Sequence, residues 1–404
     1  MVTGSFKLIV VQAVFGTLLA AAFLGCRKQS ISTPGSQVLE AWDEANSPVL
    51  MGVKSKTFGV IAREGALPNG RYPWTDDYWA TYRGGIALRW QKGTNSIQNS
   101  KEFVYPLLDL KRLKTMSQAE LDRLSPAEKY DLAYGRYDFP LVKQQWEEAR
   151  DLQREMGEIP RWYGICHGWA SASLAEPEPG ERASIVNPDG VRVNFFASDI
   201  KALLSKVYAD GHQAETLVGK RCGTLSHEIS TDLSGRVVLP ECRDLNPAAL
   251  HLILAQNLGE KNPSLRRGFV IDIAGDVEVW NHPVVGFKVL SSHRRIFDRK
   301  SDPKRQYRAK NTAFIVELET SIFYVSEGKP SKSPLREANR HFQKSLRLKY
   351  SLELDSKDQI IGGEWTSEDH PDFLWHSNKR PEAVYSPIDP KNVYDLAVVS
   401  RNRE

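Results

Sequence analysis

The apolar positions of this chain change their period near Gly259. Before that point they recur at helical spacing. Ser117 opens SQAELDRL. Ser125-Pro126-Ala127-Glu128 forms a capping box with Pro at the first helical position, and Gly135 stands where such a helix stops. Leu141 to Glu155 is a further amphipathic run. Small and apolar residues after Cys166 predict a short buried helix with the cysteine at its start, ended by Pro177 and Pro179. DIKALLSKVYADG predicts a helix capped by Ser198 and stopped near Gly211. NPAALHLILAQNLG predicts another, with Asn246 as cap, Pro247 at the first position and Gly259 after the end. After Gly259 the texture is that of strands. GFVIDIA, DVEVWN, VVGFKVL, TAFIVELETSIFYV, RLKYSLELD and DQIIGGEW are short β-rich runs separated by Gly, Asp or Pro. Helices followed by strands predict an α+β fold, its helical first half packed on a largely antiparallel sheet.

The longest apolar run lies at the start. Lys7 precedes Leu8 to Leu24, broken only by Gln12, Gly16 and Thr17, which reads as a secretory signal. Its ending, Phe23-Leu24-Gly25-Cys26, resembles a bacterial lipobox, with Phe23 where Leu is usual. The resemblance implies that residues 1–25 are removed and that Cys26 carries lipid, anchoring the protein to a membrane. The absence of Asp at Arg27 implies the outer membrane. Residues 26–50 are polar, with Ser, Gln and Pro, and read as a tether. Residues 51–404 then form a single large domain: an aromatic and helical part over 51–160 and a core over 161–404.

Composition narrows the class. A chain of 404 residues with 41% hydrophobic and 26% charged residues excludes wholesale disorder. The net charge of +4 gives no footprint for nucleic acid. Four cysteines in a chain of this length exclude a cysteine-stapled mini-protein. Export changes how they are read, because thiols outside the cytosol tend to pair. Cys222 and Cys242 flank a turn-rich stretch, and a disulfide there contributes about 3 kcal/mol. Cys166 is then left as an odd thiol, a candidate nucleophile.

Cys166 lies in IPRWYGICHGWASASLAEPEP. A helix start lowers a thiol pKa through unpaired N–H groups and the dipole. Gly164 and Gly168 allow close approach of a substrate carbonyl, and Trp162, Tyr163 and Trp169 can wall a site. The alternative is a buried cysteine acting as a small hydrophobe. A structural zinc lacks a second Cys or a spaced His. A thiol nucleophile needs a base and an orienting group. His251, His282 and His370 are the candidate bases. Asp272, inside the apolar run FVIDI, is the best acid, since a carboxylate there needs a partner.

At these residues the chain resembles the transglutaminase elicitor family of oomycetes and bacteria. The resemblance rests on PWTDDYWATYRGGIALRW, LSPAEKYDLAYG, WYGICHGWASASLAEPEP, DIKALLSKVY, NPAALHLILAQNLG, VWNHPVVGFKV, and IIGGEW followed by HPDFLW. VWNHPVVGFKV resembles the short peptide by which plants sense the oomycete enzymes, which has Gln at the place of His282 and Arg at that of Val285. The resemblance implies a papain-like or transglutaminase-like core, with Cys166 as nucleophile. A Cys–His–acid order common to transglutaminase cores is met by His251 and Asp272, with His370 and His282 behind them. Trp280 and Pro283 then shape the site for substrate. The implied activity joins protein Gln to Lys through a Cys thioester, and calcium is an implied cofactor. A papain-like protease or cell-wall peptide amidase uses the same thiol with water as acceptor. A non-catalytic binding lipoprotein is the third reading.

Overall fold

The computed structural model describes residues 41–402, except 95–96, 98–102, 212–214, 223–228, 232–236, 238, 240–241, 275–276 and 378. The apolar leader, Cys26 and the first part of the tether lie outside the described residues. The last part of the tether is docked. Asn46 and Met51 are buried, and Pro48–Met51 forms a 3-10 turn. Ala45 O accepts from Gly219 N at 3.0 Å, and Asn46 Oδ1 accepts from Asn246 N at 2.7 Å. These contacts draw residues 45–50 into the domain expected to begin at 51.

Ten strands are described: β1 (Glu64–Ala66), β2 (Arg182–Val186), β3 (Arg192–Phe196), β4 (Glu215–Gly219), β5 (Phe269–Asp272), β6 (Asn281–Ile296), β7 (Phe314–Val325), β8 (Gln343–Leu354), β9 (Ile360–Trp365) and β10 (Phe373–Ser377). One sheet runs β4-β10-β5-β6-β7-β8-β9, all neighbours antiparallel, while β2 and β3 form a separate hairpin. The long strand β6 is its spine. On one edge it pairs first with β5, which sets Asn281 opposite Asp272, and then with β1. On the other edge it pairs with β7. The α+β class expected from the chain is the one it adopts.

The helices form where caps and prolines place them. Ser125 and Glu128 make the expected capping box at Pro126–Ala133. Asn246 Oδ1 accepts from Ala248 N at 2.9 Å and starts Pro247–Asn257. The Ala197–Asp210 helix begins one residue before the expected cap. There the Asp199 carboxylate accepts from Phe196 N at 2.8 Å, so Phe196 takes the capping position and Ser198 lies inside. Asp199 also holds Lys129 Nζ at 2.6 Å and Trp90 Nε1 at 2.9 Å, and both charged side chains are 0% exposed. The helix that matters most is Cys166–Ala175. It is buried on nearly every side, between the Ala197–Asp210 helix and strands β5 and β6. Glu176 is extended, as a residue before proline must be, and this stops it.

Candidate active site

The motif PWTDDYWATYR seats the start of the cysteine helix. Tyr78 O accepts from Ile165 N at 2.8 Å, and Thr81 N donates to Tyr163 O at 2.9 Å. Gly164 is required here: a Cβ would lie 2.6 Å from Tyr78 O. Asp77 Oδ1 accepts from Trp79 N at 3.0 Å and is gripped by Arg83 Nη2 at 2.6 and 2.8 Å. Asp76 O accepts from Gly328 N at 2.9 Å, which ties the segment after β7 to the same motif. Two consecutive aspartates thus hold the approaches to Cys166 from two sides.

A strap of chain, Val277–Trp280, lies over the thiol. Cys166 Sγ donates to Val279 O at 3.6 Å, and Asn281 Nδ2 donates to Sγ at 3.8 Å. Trp375 Nε1 in turn donates to Asn281 Oδ1 at 2.8 Å. Asp272 Oδ1 accepts from Trp280 N at 2.8 Å and from Ala274 N at 3.2 Å, so the carboxylate holds the strap at its root. Arg221 Nη2 holds its other end through Val277 O at 3.0 Å. Arg221 adjoins Cys222, whose disulfide to Cys242 is formed as expected. The Trp280 ring rests on Tyr78 at 5.3 Å, with its N–H on Glu278 Oε2 at 2.7 Å.

The thiol is 4% exposed. Burial pushes its pKa up to about 11, against the pull of the Asn281 backbone and side-chain N–H groups, and the charges of Asp272 and Glu327 push the same way as burial. The lowering expected at a helix start is not found, and burial is the largest cause of the upward shift. No side chain caps that helix start, whose preceding residue is Ile165.

His282 adjoins this cluster. It follows Asn281 on β6, and Trp169, one turn along the helix from Cys166, meets its ring edge-on at 6.0 Å. Its Nδ1 lies 3.1 Å from Val325 O. A carbonyl only accepts, so Nδ1 carries the hydrogen and Nε2 faces Glu327 Oε1 at 3.8 Å. Burial pushes the His282 pKa down, with the Glu327 charge opposing.

The structure groups Cys166 with Asp272, and groups His251 elsewhere. His251 Nδ1 bonds Tyr350 Oη at 2.8 Å, Tyr350 Oη bonds Thr320 Oγ1 at 2.8 Å, and Phe58 stacks on the imidazole at 6.3 Å. Its helix packs on β8 and β9, whereas the cysteine helix packs on β5 and β6. Burial holds the His251 pKa down at about 4, so it is a neutral core histidine at ordinary pH. His370 is stacked on Trp365 at 5.2 Å, with Nδ1 3.1 Å from Asp244. Trp169 is 0% exposed and gives its N–H to Trp74 O at 3.2 Å, so it belongs to the core and does not wall a substrate. Pro283 is buried in β6 opposite Val270. Gly168 serves helix packing, since a Cβ there would meet Ser205 O at 2.1 Å. Of the expected wall and substrate residues, Trp162, Tyr163 and Trp280 are half-buried, whereas Trp169 and Pro283 are buried.

Sequence reasoning missed Asn281, Trp375 and Glu327. The first two lie in VWNHPV and HPDFLW, segments already singled out. Glu327 lies in SEGKPSKSP, which reads as a solvated surface and gave no signal. Among the described residues no group of three or more His, Cys, Asp or Glu is placed to hold a metal ion, and no step is routed through the implied calcium.

Residues 57–387 match the family described as Transglutaminase elicitor. Among solved structures, the chain is similar to the GP42 transglutaminase from Phytophthora sojae, at 24% identity and a TM-score of 0.63, covering 92% of this chain and 100% of that one. Comparison with curated proteins gives no match.

Proposed function

The chain belongs to the transglutaminase elicitor family, and from that premise we propose that it is a protein-glutamine γ-glutamyltransferase with Cys166 as nucleophile. One observation carries the reading. The free thiol stands at an uncapped helix start with an amide donor, Asn281 Nδ2, 3.8 Å from the sulfur. In this reading the sulfur attacks the γ-carboxamide carbon of a protein Gln. The C–S bond forms, the C–N bond breaks, and ammonia leaves with the thiol proton. A Lys ε-amine then attacks the thioester, the isopeptide C–N bond forms, the C–S bond breaks, and the amine gives a proton back to the sulfur. Backbone N–H groups of the helix start receive the oxyanion in both steps.

The proton is carried by Glu327, with His282 behind it. Nε2 of His282 and Oε1 of Glu327 face each other at 3.8 Å, which sets two basic atoms side by side. Glu327 is 23% exposed at its side chain, so it also communicates with solvent. Asp272 acts on geometry: it fixes the strap and stands opposite Asn281. Water must be kept from the thioester, and the Trp280–Tyr78 pair, at the end of the strap over the thiol, serves that end.

The reading also places the protein outside the cytosol, lipid-anchored through Cys26 to the outer membrane. The apolar leader supports this, and the Cys222–Cys242 disulfide fits an oxidising compartment. Among the described residues no helix is long and apolar enough to cross a membrane. A Cys26→Ser variant should move from the membrane to the soluble fraction.

The test of the activity uses a Gln-containing acceptor protein and a fluorescent primary amine. Incorporation that disappears in Cys166→Ala supports the transferase. Peptide cleavage or deamidation without incorporation shifts the reading to a hydrolase using the same thiol. Neither product, with a thiol inert to iodoacetamide under all conditions, leaves a binding protein.

A further inference from the structure

We propose that Trp375 is a positioning residue that fixes the orientation of the Asn281 carboxamide, and that Asn281 is thereby the side-chain donor that receives charge on the Cys166 sulfur. The inference rests on the thiol chemistry above but not on which acceptor the enzyme uses.

The argument starts from what an indole can do. Its Nε1–H is a donor only. At 2.8 Å from Trp375 Nε1, the Asn281 atom must therefore be the carbonyl oxygen. The NH2 end is then the end that faces Sγ, 3.8 Å away. The usual ambiguity of an Asn amide is removed by this one partner.

The sheet makes the contact possible. Trp375 on β10 stands opposite Val270 on β5, and Asn281 on β6 stands opposite Asp272 on the same strand. Val270 and Asp272 are two residues apart and share one face. Trp375 and Asn281 therefore flank β5 on that face, and the indole reaches across it. Both are buried, at 3% and 1% exposure, so water does not compete for the amide.

Amide nitrogen and oxygen are nearly the same size, so packing alone does not choose between the two orientations. Their chemistry at the sulfur is opposite. The observed orientation presents N–H, which stabilises a thiolate. The flipped one presents lone pairs, which stabilise a thiol and repel a thiolate. Val279 O already serves the thiol on the other side, at 3.6 Å. The sulfur thus sits between an acceptor that keeps its proton and a donor that takes over when the proton leaves. Trp375 keeps the second of these in place.

The experiment is a double-mutant cycle read on the sulfur itself. The second-order rate of Cys166 alkylation by iodoacetamide is followed from pH 6 to 11 in the full chain, in Trp375→Phe, in Asn281→Ala and in the double variant. Trp375→Phe is expected to slow alkylation by about tenfold at each pH from 8 to 10, the rate equivalent of about one pH unit in the thiol's titration. In the Asn281→Ala background Trp375→Phe should add nothing, because coupled residues are non-additive. In amine incorporation both single variants should lose kcat with KM for the Gln peptide unchanged within about twofold. Thermal midpoints and the intact disulfide control for folding. Additive effects, or a Trp375→Phe alkylation rate equal to that of the parent, overturn the proposal. Loss of the transferase reading would show separately, as incorporation that persists in Cys166→Ala.

Discussion

The sulfur of Cys166 donates its hydrogen to the carbonyl oxygen of Val279 across 3.6 Å, and the strap that carries this carbonyl is the thiol's cover. Burial under it holds the thiol pKa at about 11. The folded state thus keeps a proton that an unfolded cysteine releases near pH 8.5. Between those two values the unfolded chain binds fewer protons, so stability is full below about pH 8.5 and falls as pH rises toward 11. Urea unfolding measured across that window should show this fall in the parent and a flatter profile in Cys166→Ala. Equal profiles refute the assignment.

Glu327 and His282 are expected to separate under substitution. Glu327→Gln removes the carboxylate proposed to move the proton and should lower amine incorporation by about 100-fold. His282→Gln keeps a polar neighbour and should cost less than about tenfold, matching the Gln that the related plant-sensed peptide carries there. Near-parental turnover in Glu327→Gln returns the proton transfer to Asp272.

His251 is a test of the opposite kind. Its folded pKa of about 4 lies below the ordinary histidine value, so its contribution is present above about pH 6.5 and is lost as pH falls toward 4. Tyr350→Phe leaves His251 Nδ1 and Thr320 Oγ1 without their shared hydroxyl and should destabilise by about 1–3 kcal/mol. The amine-incorporation rate per folded molecule should not change. A selective loss of turnover would make His251 part of the chemistry.

Arg221 pins the strap from the side of the disulfide. Arg221→Ala should raise the iodoacetamide rate at Cys166 by severalfold at pH 7, because the cover opens more often. Paired replacement of Cys222 and Cys242 by Ser should destabilise by about 2–4 kcal/mol and raise the rate in the same direction. Unchanged alkylation in Arg221→Ala removes the strap as the barrier.

Lys129 and Asp199 form an ion pair with both side chains 0% exposed. Asp199→Asn leaves an ammonium buried among Trp90 and Phe196, together with a weakened helix start. A loss of about 3–5 kcal/mol is expected in chemical denaturation. A loss below 1 kcal/mol would mean that the ammonium finds another acceptor.

What could be read from the chain follows the range of each interaction. Caps are local, so Ser125, Asn246 and the prolines at 126 and 247 marked their helices, and the strands of the second half showed their β-rich runs. The C-terminal Pro390–Arg401 helix had the same kind of cap, Asp389 before Pro390, and was overlooked. The strands of the β2–β3 hairpin and β4 are five residues each, and Val186 and Leu217 break the alternation by standing exposed, so no run announced them. Cys166 stood out because a single unpaired thiol is chemically distinct. Its companions did not, because they assemble over long separations: Asn281 and Trp375 are 94 residues apart. His251 misled because a polar residue in an apolar helix fits a core hydrogen bond and a catalytic base equally well. Only the position of Tyr350 distinguishes the two.

The Val279 carbonyl has a further consequence, for durability. Sulfenic acid formation and disulfide exchange both begin with a thiolate. With a pKa of about 11, about one molecule in ten thousand carries one at pH 7. A free cysteine in a chain that also holds an oxidised pair would otherwise be a standing invitation to scrambling. Under its strap Cys166 is kept in reserve, so the contact that would delay the proposed attack on a substrate also keeps the thiol unspoiled where oxidants are present.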